Sequence, residues 1–196
     1  MKKRLIVATR NAHKVEEIRA ILRDFEVCDL SVLSDPPEVE ETGTNFLENA
    51  TLKALAISAQ TDELVLSDDS GLEVDALGGE PGVYSSRYAG EDGNDSLNNE
   101  KLLRELAGVQ DRTARFRCVI VFAKAGEAVA HFDGAVEGRI LQAPRAGGGF
   151  GYDPLFAPEG YAESFAELGE DIKNTLSHRA RALAAAGAWL EKEDGN

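Results

Sequence analysis

Cysteine, tryptophan and positive charge are scarce in this chain of 196 residues, which has 2 Cys, 1 Trp and 21 Lys plus Arg against 35 Asp plus Glu. The two cysteines, Cys28 and Cys118, lie far apart and lack the paired spacing of a zinc or redox motif, which points away from a disulfide framework. A reduced, cytoplasmic chain with two small core hydrophobes is expected. No apolar run approaches the length of a membrane span, and Leu5 to Ala8 is shorter than the ~7–15 residues of a secretory signal. The net charge of −14 argues against binding long nucleic acid by phosphate neutralisation. It leaves room for a small anion, provided the few cations gather in one place or a divalent ion bridges carboxylates to phosphate.

The hydrophobic pattern reads as α/β, and the length suits one domain spanning 1–196 with a polar tail from about 191. Arg4 to Thr9 predicts a buried strand, a polar loop follows, and Val15, Ile18, Leu22 and Phe25 mark the apolar side of a helix. Thr44 is the expected cap of a second helix, on which Phe46, Ala50, Ala54 and Ile57 are apolar while Asn45, Asn49 and Lys53 form a polar stripe at four-residue steps. Leu64 to Leu66 predicts a second strand ending in Ser67-Asp68-Asp69-Ser70-Gly71. Ser96 is the expected cap of a helix through Leu106, and Phe116 to Phe132 predicts a hairpin across Gly126, assigned to a second lobe. Ser164 and Glu167 have capping-box spacing, and Ser177 is placed to cap the last helix.

Several groups suit phosphate or metal chemistry, each beside a blander reading. His178 and Arg179 stand in a first helical turn, where cations are disfavoured by about 0.3–1 kcal/mol each unless an anion or a carboxylate joins them. Lys14 repeats the pattern at the first helix, and Lys173 lies just ahead of Ser177. Asp68 and Asp69, with Glu40 and Glu41 on another loop, offer hard oxygen ligands and a proton acceptor, or simply acidic turns. Gly147 to Pro154 is either a loop whose backbone approaches a ligand, with Phe150 for stacking and Asp153 as acceptor, or a surface turn. Lys53 has the reading of an ordinary solvated helix cation. Neither the common phosphate loop nor the dinucleotide fingerprint is present.

Taken together, A-T-R-N-A-H-K at Ala8 to Lys14, E-E-T-G-T-N-F-L-E-N-A at Glu40 to Ala50 and S-D-D-S-G-L at Ser67 to Leu72 resemble the inosine triphosphate pyrophosphatase family. L-G-G-E-P-G-V-Y-S-S-R-Y at Leu77 to Tyr88, G-G-F-G-Y-D-P at Gly148 to Pro154 and S-H-R at Ser177 to Arg179 extend the likeness along nearly the whole chain. The resemblance implies an elongated Maf-like α/β fold with a long mixed sheet, two lobes and a central cleft. It implies a magnesium-dependent homodimer that converts non-canonical purine triphosphates to monophosphate and pyrophosphate. Carried over, it makes Asp69 the proton acceptor and a metal ligand with Glu40. It places Thr9, Arg10, Asn11, Ala12, His13, Lys14, Ser70 and Lys173 at phosphate and sugar, and Phe150, Gly151, Tyr152, Asp153, His178 and Arg179 at the base. Lys53 is a further phosphate contact, ranked below Lys14 and Lys173. Arg10 departs from the small residue that many members carry there. Two other functions fit the same residues: a Maf-like enzyme acting on other nucleotides, and a nucleotide sensor without catalysis.

Overall fold

The computed structural model describes residues 2–194. Its strands form one mixed sheet of six in the order β2-β1-β3-β4-β5-β6. The elements are β1 (Arg4–Val7), α1 (Ala12–Ile21), β2 (Glu26–Cys28), α2 (Phe46–Ser58), β3 (Leu64–Val74), α3 (Asp95–Glu105), β4 (Thr113–Lys124), β5 (Glu127–Ile140), β6 (Phe156–Pro158), α4 (Phe165–Leu176) and α5 (His178–Asp194). β1 runs parallel to both β2 and β3, whereas β6 is antiparallel to β5. The chain divides into two compact units. No helix among the described residues is long and apolar enough to cross a membrane.

The first unit comprises the chain up to Asp69, the hairpin tip Cys118–Gly134 and the chain from Arg179. Its strands are covered on both faces, because side chains alternate along a strand with a period of two. Leu5, Val7, Leu66, Cys118 and Ile120 pack with Val15 and Ile18 of α1 and with Ala182, Leu183 and Ala186 of α5. Ile6, Ala8 and Val65 pack the other way, onto Ile57 of α2. The second unit, Ser70–Arg117 and Ala135–His178, has its own core of Leu72, Val74, Leu102, Phe116, Val136, Ile140, Phe156 and Phe165.

Four local expectations are corrected. Asn45, not Thr44, caps α2 by accepting Glu48 N–H, and Asn94, not Ser96, caps α3 by accepting Leu97 N–H. An asparagine at the cap position accepts from the N3 nitrogen, whereas Thr44 lies one residue before that position and Ser96 already lies inside the helix. β3 does not end at Leu66 but continues to Val74, so Asp68 and Asp69 lie within the strand. Low strand propensity is overridden there because each acid has cationic partners. The hairpin turns at Ala125 and Gly126, both with positive φ, and its tip belongs to the first unit, not to a second lobe. The capping box of Ser164 and Glu167 forms as expected, while α4 breaks at Gly169. α5 begins at His178 directly after Ser177, which ends α4. The tail expected from about 191 is helical as far as Asp194 and then lies outside the described residues.

Candidate active site

Two adjacent acids on β3 meet different helices because they point to opposite faces of the strand. Asp68 shares the face of Leu66 and lies toward α1 and α5, whereas Asp69 shares the face of Val65 and lies toward α2. Asp68 is fully buried, takes Lys14 Nζ at 2.6 Å and Arg179 Nε at 2.8 Å, and accepts the Cys118 thiol at 3.0 Å. Arg179 also donates to Glu17, which stands one turn beyond Lys14 on α1. Burial acts to raise the Asp68 carboxyl, but Arg179 and then Lys14 hold it well below the usual carboxylate range. The Cys118 thiol is pushed far up, by burial first and by Asp68 second, and stays a protonated donor.

Asp69 has the opposite character. Its Oδ1 accepts from Lys53 Nζ at 2.9 Å, while its buried Oδ2 has no hydrogen-bond partner. Burial raises its carboxyl above the ordinary value, with Lys53 and Lys14 pulling down and Glu41 pushing up. Lys53 is no solvated cation: its ammonium donates to Glu41 at 2.8 Å, to Asp69 and to the Asp68 carbonyl at 3.0 Å. Burial lowers Lys53, but Asp69 and Glu41 outweigh it and keep the side chain charged. One neighbour is therefore held as a permanent anion, and the other is poised to take a proton, the pattern that separates acid–base roles in enzymes.

This contrast gives a stability prediction. Asp68→Asn removes the charge shared by two cations, leaving the buried Arg179 with Glu17 as its remaining carboxylate, and should lower unfolding free energy by about 3–5 kcal/mol at neutral pH. The folded-state value of Asp68 is depressed, so its contribution is present above the unfolded value of about 3.9 and is lost as pH falls through the folded value. Denaturant unfolding at pH 7 and across the acid range measures both effects. An unchanged midpoint in the variant would refute the counter-ion role.

In the second unit the glycine-rich loop is held rather than loose. Gly151 N–H donates to Asp95 at 2.6 Å, Asn99 donates to the Gly151 carbonyl at 2.9 Å, and Gly148 N–H donates to the Ala166 carbonyl at 3.0 Å. Gly149 has φ +91°, and a Cβ there would lie 2.3 Å from Asp153 Oδ2, so a side chain is excluded on both counts. Asp153 accepts Phe150 N–H at 2.9 Å and the Lys173 ammonium at 2.6 Å, and that ammonium stands 4.4 Å above the Phe150 ring. The Tyr152 hydroxyl donates to the Ser85 carbonyl at 2.8 Å. His178 is buried and stacked on Phe116 with centroids 4.9 Å apart.

A family model described as the Ham1 family matches residues 5–189. The chain belongs to the Ham1 family. It is 48% identical to a Bacillus licheniformis protein named dITP/XTP pyrophosphatase, over 97% of this chain and 99% of that one. It is 51% identical to one of the same name from Geobacillus kaustophilus, over 92% of this chain and 91% of that one. Its fold is similar to that of the Staphylococcus aureus Ham1 protein, with a TM-score of 0.87 and 41% identity over 97% and 100% of the two chains. A HAM1 protein from Coxiella burnetii is similar at a TM-score of 0.86 and 38% identity, over 97% and 99%.

Within this Ham1-family chain the expected residues fall in separate places. Asp69 and Lys53 join directly, and Lys14 joins Asp68. Thr9 accepts Asn11 N–H, and Asn11 caps α1, which starts at Ala12. Arg10 is exposed and donates to the Pro36 carbonyl at 3.1 Å, and His13 is exposed beside Glu16. Glu40 is exposed on the loop before α2, whereas its neighbour Glu41 reaches Lys53. Ser70 follows Asp69 on β3 and opens the second unit. Arg179, expected at the base, has its guanidinium engaged by Asp68 and Glu17. Asp153 and Lys173, expected at base and phosphate, pair with each other. Sequence reading missed Glu17, although its i,i+3 spacing from Lys14 places both on one side of α1. It also missed Asp95 and Asn99, for which no local signal exists.

Proposed function

We propose that this protein hydrolyses non-canonical purine nucleoside triphosphates, such as inosine, deoxyinosine and xanthosine triphosphates, to the monophosphate and pyrophosphate. Asp69 carries the reading, with one oxygen fixed by Lys53 and the other buried, raised in proton affinity and without a partner. The names of the Bacillus and Geobacillus relatives support the same activity.

The donor chemistry fits magnesium. That ion keeps several waters and takes one or two carboxylates plus phosphate oxygens, and here Asp69 has a buried Oδ2 without a partner while Glu40 stands exposed on the loop before α2. Asp69 and Glu40 would hold it, and it would supply neutralisation of the triphosphate charge. Asp69 accepts a proton from water, the water oxygen bonds to the α-phosphorus, and pyrophosphate departs with the electrons of the broken P–O bond. Lys14 and Lys53 counter the growing charge, and Lys173, paired with Asp153, is assigned with it to the base. In the second unit Phe150 offers a stacking face, and Asp153, Gly151, Tyr152 and His178 are assigned to the base. The reading includes a homodimer acting on free nucleotides in the cytoplasm.

A panel of canonical and deaminated triphosphates, incubated with the protein and magnesium, tests this by release of pyrophosphate. Release from inosine and xanthosine triphosphates is the expected result. Release of single phosphates, or none from any nucleotide, would count against it.

A further inference from the structure

The polar stripe of α2 contains a residue with no place in that mechanism. Asn49 is wholly buried at the end of the first turn of α2, and past the cap an asparagine is a weak helix former. Its Oδ1 accepts Gly43 N–H at 2.7 Å, while its buried Nδ2 has no hydrogen-bond partner. An orphaned buried donor costs about 1–3 kcal/mol, so the Nδ2 side of this amide does not account for it. The retained amide is better explained by what its oxygen holds.

That oxygen holds the loop of the acids. Residues 37–43 have no helix or strand of their own, yet Gly43 is packed onto α2 so closely that a Cβ there would lie 2.6 Å from Asn49 Oδ1 and 2.7 Å from Glu48 Cβ. Thr44 is tied to Glu48 by its backbone N–H at 2.7 Å and its hydroxyl at 3.0 Å. One turn beyond Asn49 on the same helix side, Lys53 links Glu41 and Asp69. The helix thus grips the loop through the backbone at Gly43 and through a side chain at Glu41.

We infer that Asn49 is a positioning residue, an internal hook that fixes the Glu40–Glu41 loop so that its carboxylates act with Asp69 on a divalent cation. The inference rests on the metal-dependent reading above. Partners that orient ligands in this way change metal affinity by about 10–100-fold when removed. Because the hook fixes a loop that carries ligands, metal binding and loop order are coupled in both directions.

Hydrogen exchange and metal binding test the idea together. In the unaltered protein the Gly43 amide should be protected, and saturating magnesium should slow its exchange further. In Asn49→Ala that protection should be lost while the β3 amides keep theirs. Manganese titrated alone, without nucleotide, should bind at least about 10-fold more weakly. The magnesium concentration for half-maximal pyrophosphate release should rise in parallel, with turnover at saturating magnesium close to that of the parent. A freely exchanging Gly43 amide in the parent, or one indifferent to magnesium, overturns the proposal without needing any variant. Parent-like manganese affinity in Asn49→Ala overturns it too, as does a turnover loss independent of magnesium concentration. Failure of the parent itself to bind manganese or release pyrophosphate would instead bring down the functional reading on which it rests.

Discussion

Asp69→Asn should lower turnover by at least about 100-fold, the low end for loss of a general base, while leaving the protein folded. The substitution keeps an oxygen for Lys53 but removes the charge and proton affinity of the partnerless Oδ2. Little stability is at stake, because Lys53 retains Glu41 and the Asp68 carbonyl as acceptors. The raised carboxyl of Asp69 points the same way. Ionisation is less favourable in the folded state, so removing the charge relieves a burial cost that grows as pH rises through the folded value. Steady-state kinetics at saturating magnesium, beside a thermal melt, separates this result from that of Asp68→Asn, where stability is what should fall. Near-normal turnover in Asp69→Asn would remove this residue from the mechanism.

Inosine triphosphate should be preferred to adenosine triphosphate by a factor reaching about 10⁴ in kcat/KM, the discrimination available to a site that hydrogen-bonds one base edge and leaves the other unpaired. A 6-oxo purine presents an acceptor beside an N1–H donor, and adenine reverses both. Asp153 of the glycine loop and Lys173 of α4 form one buried pair, a carboxylate and an ammonium chemically matched to those two positions. Asp153→Asn should narrow the ratio chiefly by harming inosine triphosphate, because the carboxylate that would accept N1–H is gone. It also removes the buried counter-charge of Lys173, so the variant's melt must accompany its kinetics. Phe150→Ala should weaken both substrates alike, since stacking, about 1–3 kcal/mol per base, does not read the edge. Comparable efficiency of the parent on the two triphosphates would refute the base assignment even if hydrolysis itself were confirmed.

The strand–loop–helix opening, Val15 and Ile18 on α1, the helix face of α2, the hairpin turn at Gly126 and the capping box at Ser164 were legible because each depends on residues within a few positions of one another, whereas Leu22 only caps α1 and Phe25 lies beyond it. Period and cap chemistry are local, and local patterns survive in a one-dimensional string. The same is true of the ordered motifs, whose joint occurrence marked the family where each alone was a turn, a charge pair or a glycine run.

Local propensity misjudged β3, since two aspartates, two serines and a glycine read as the end of a strand. The tertiary structure continues it because partners distant in sequence, Lys14, Lys53 and Arg179, offset the burial of the acids. The division of labour between Asp68 and Asp69 was equally out of reach. It follows from strand parity together with which helix covers which face, and the covering helices lie far from β3 in sequence. By itself the sequence determined which groups this protein owns and the α/β pattern that carries them. Only the tertiary structure decided which cation each acid faces, that Lys53 is a buried link instead of a surface charge, and that Asn49 grips the acid loop, because burial and pairing depend on distances the chain order does not contain.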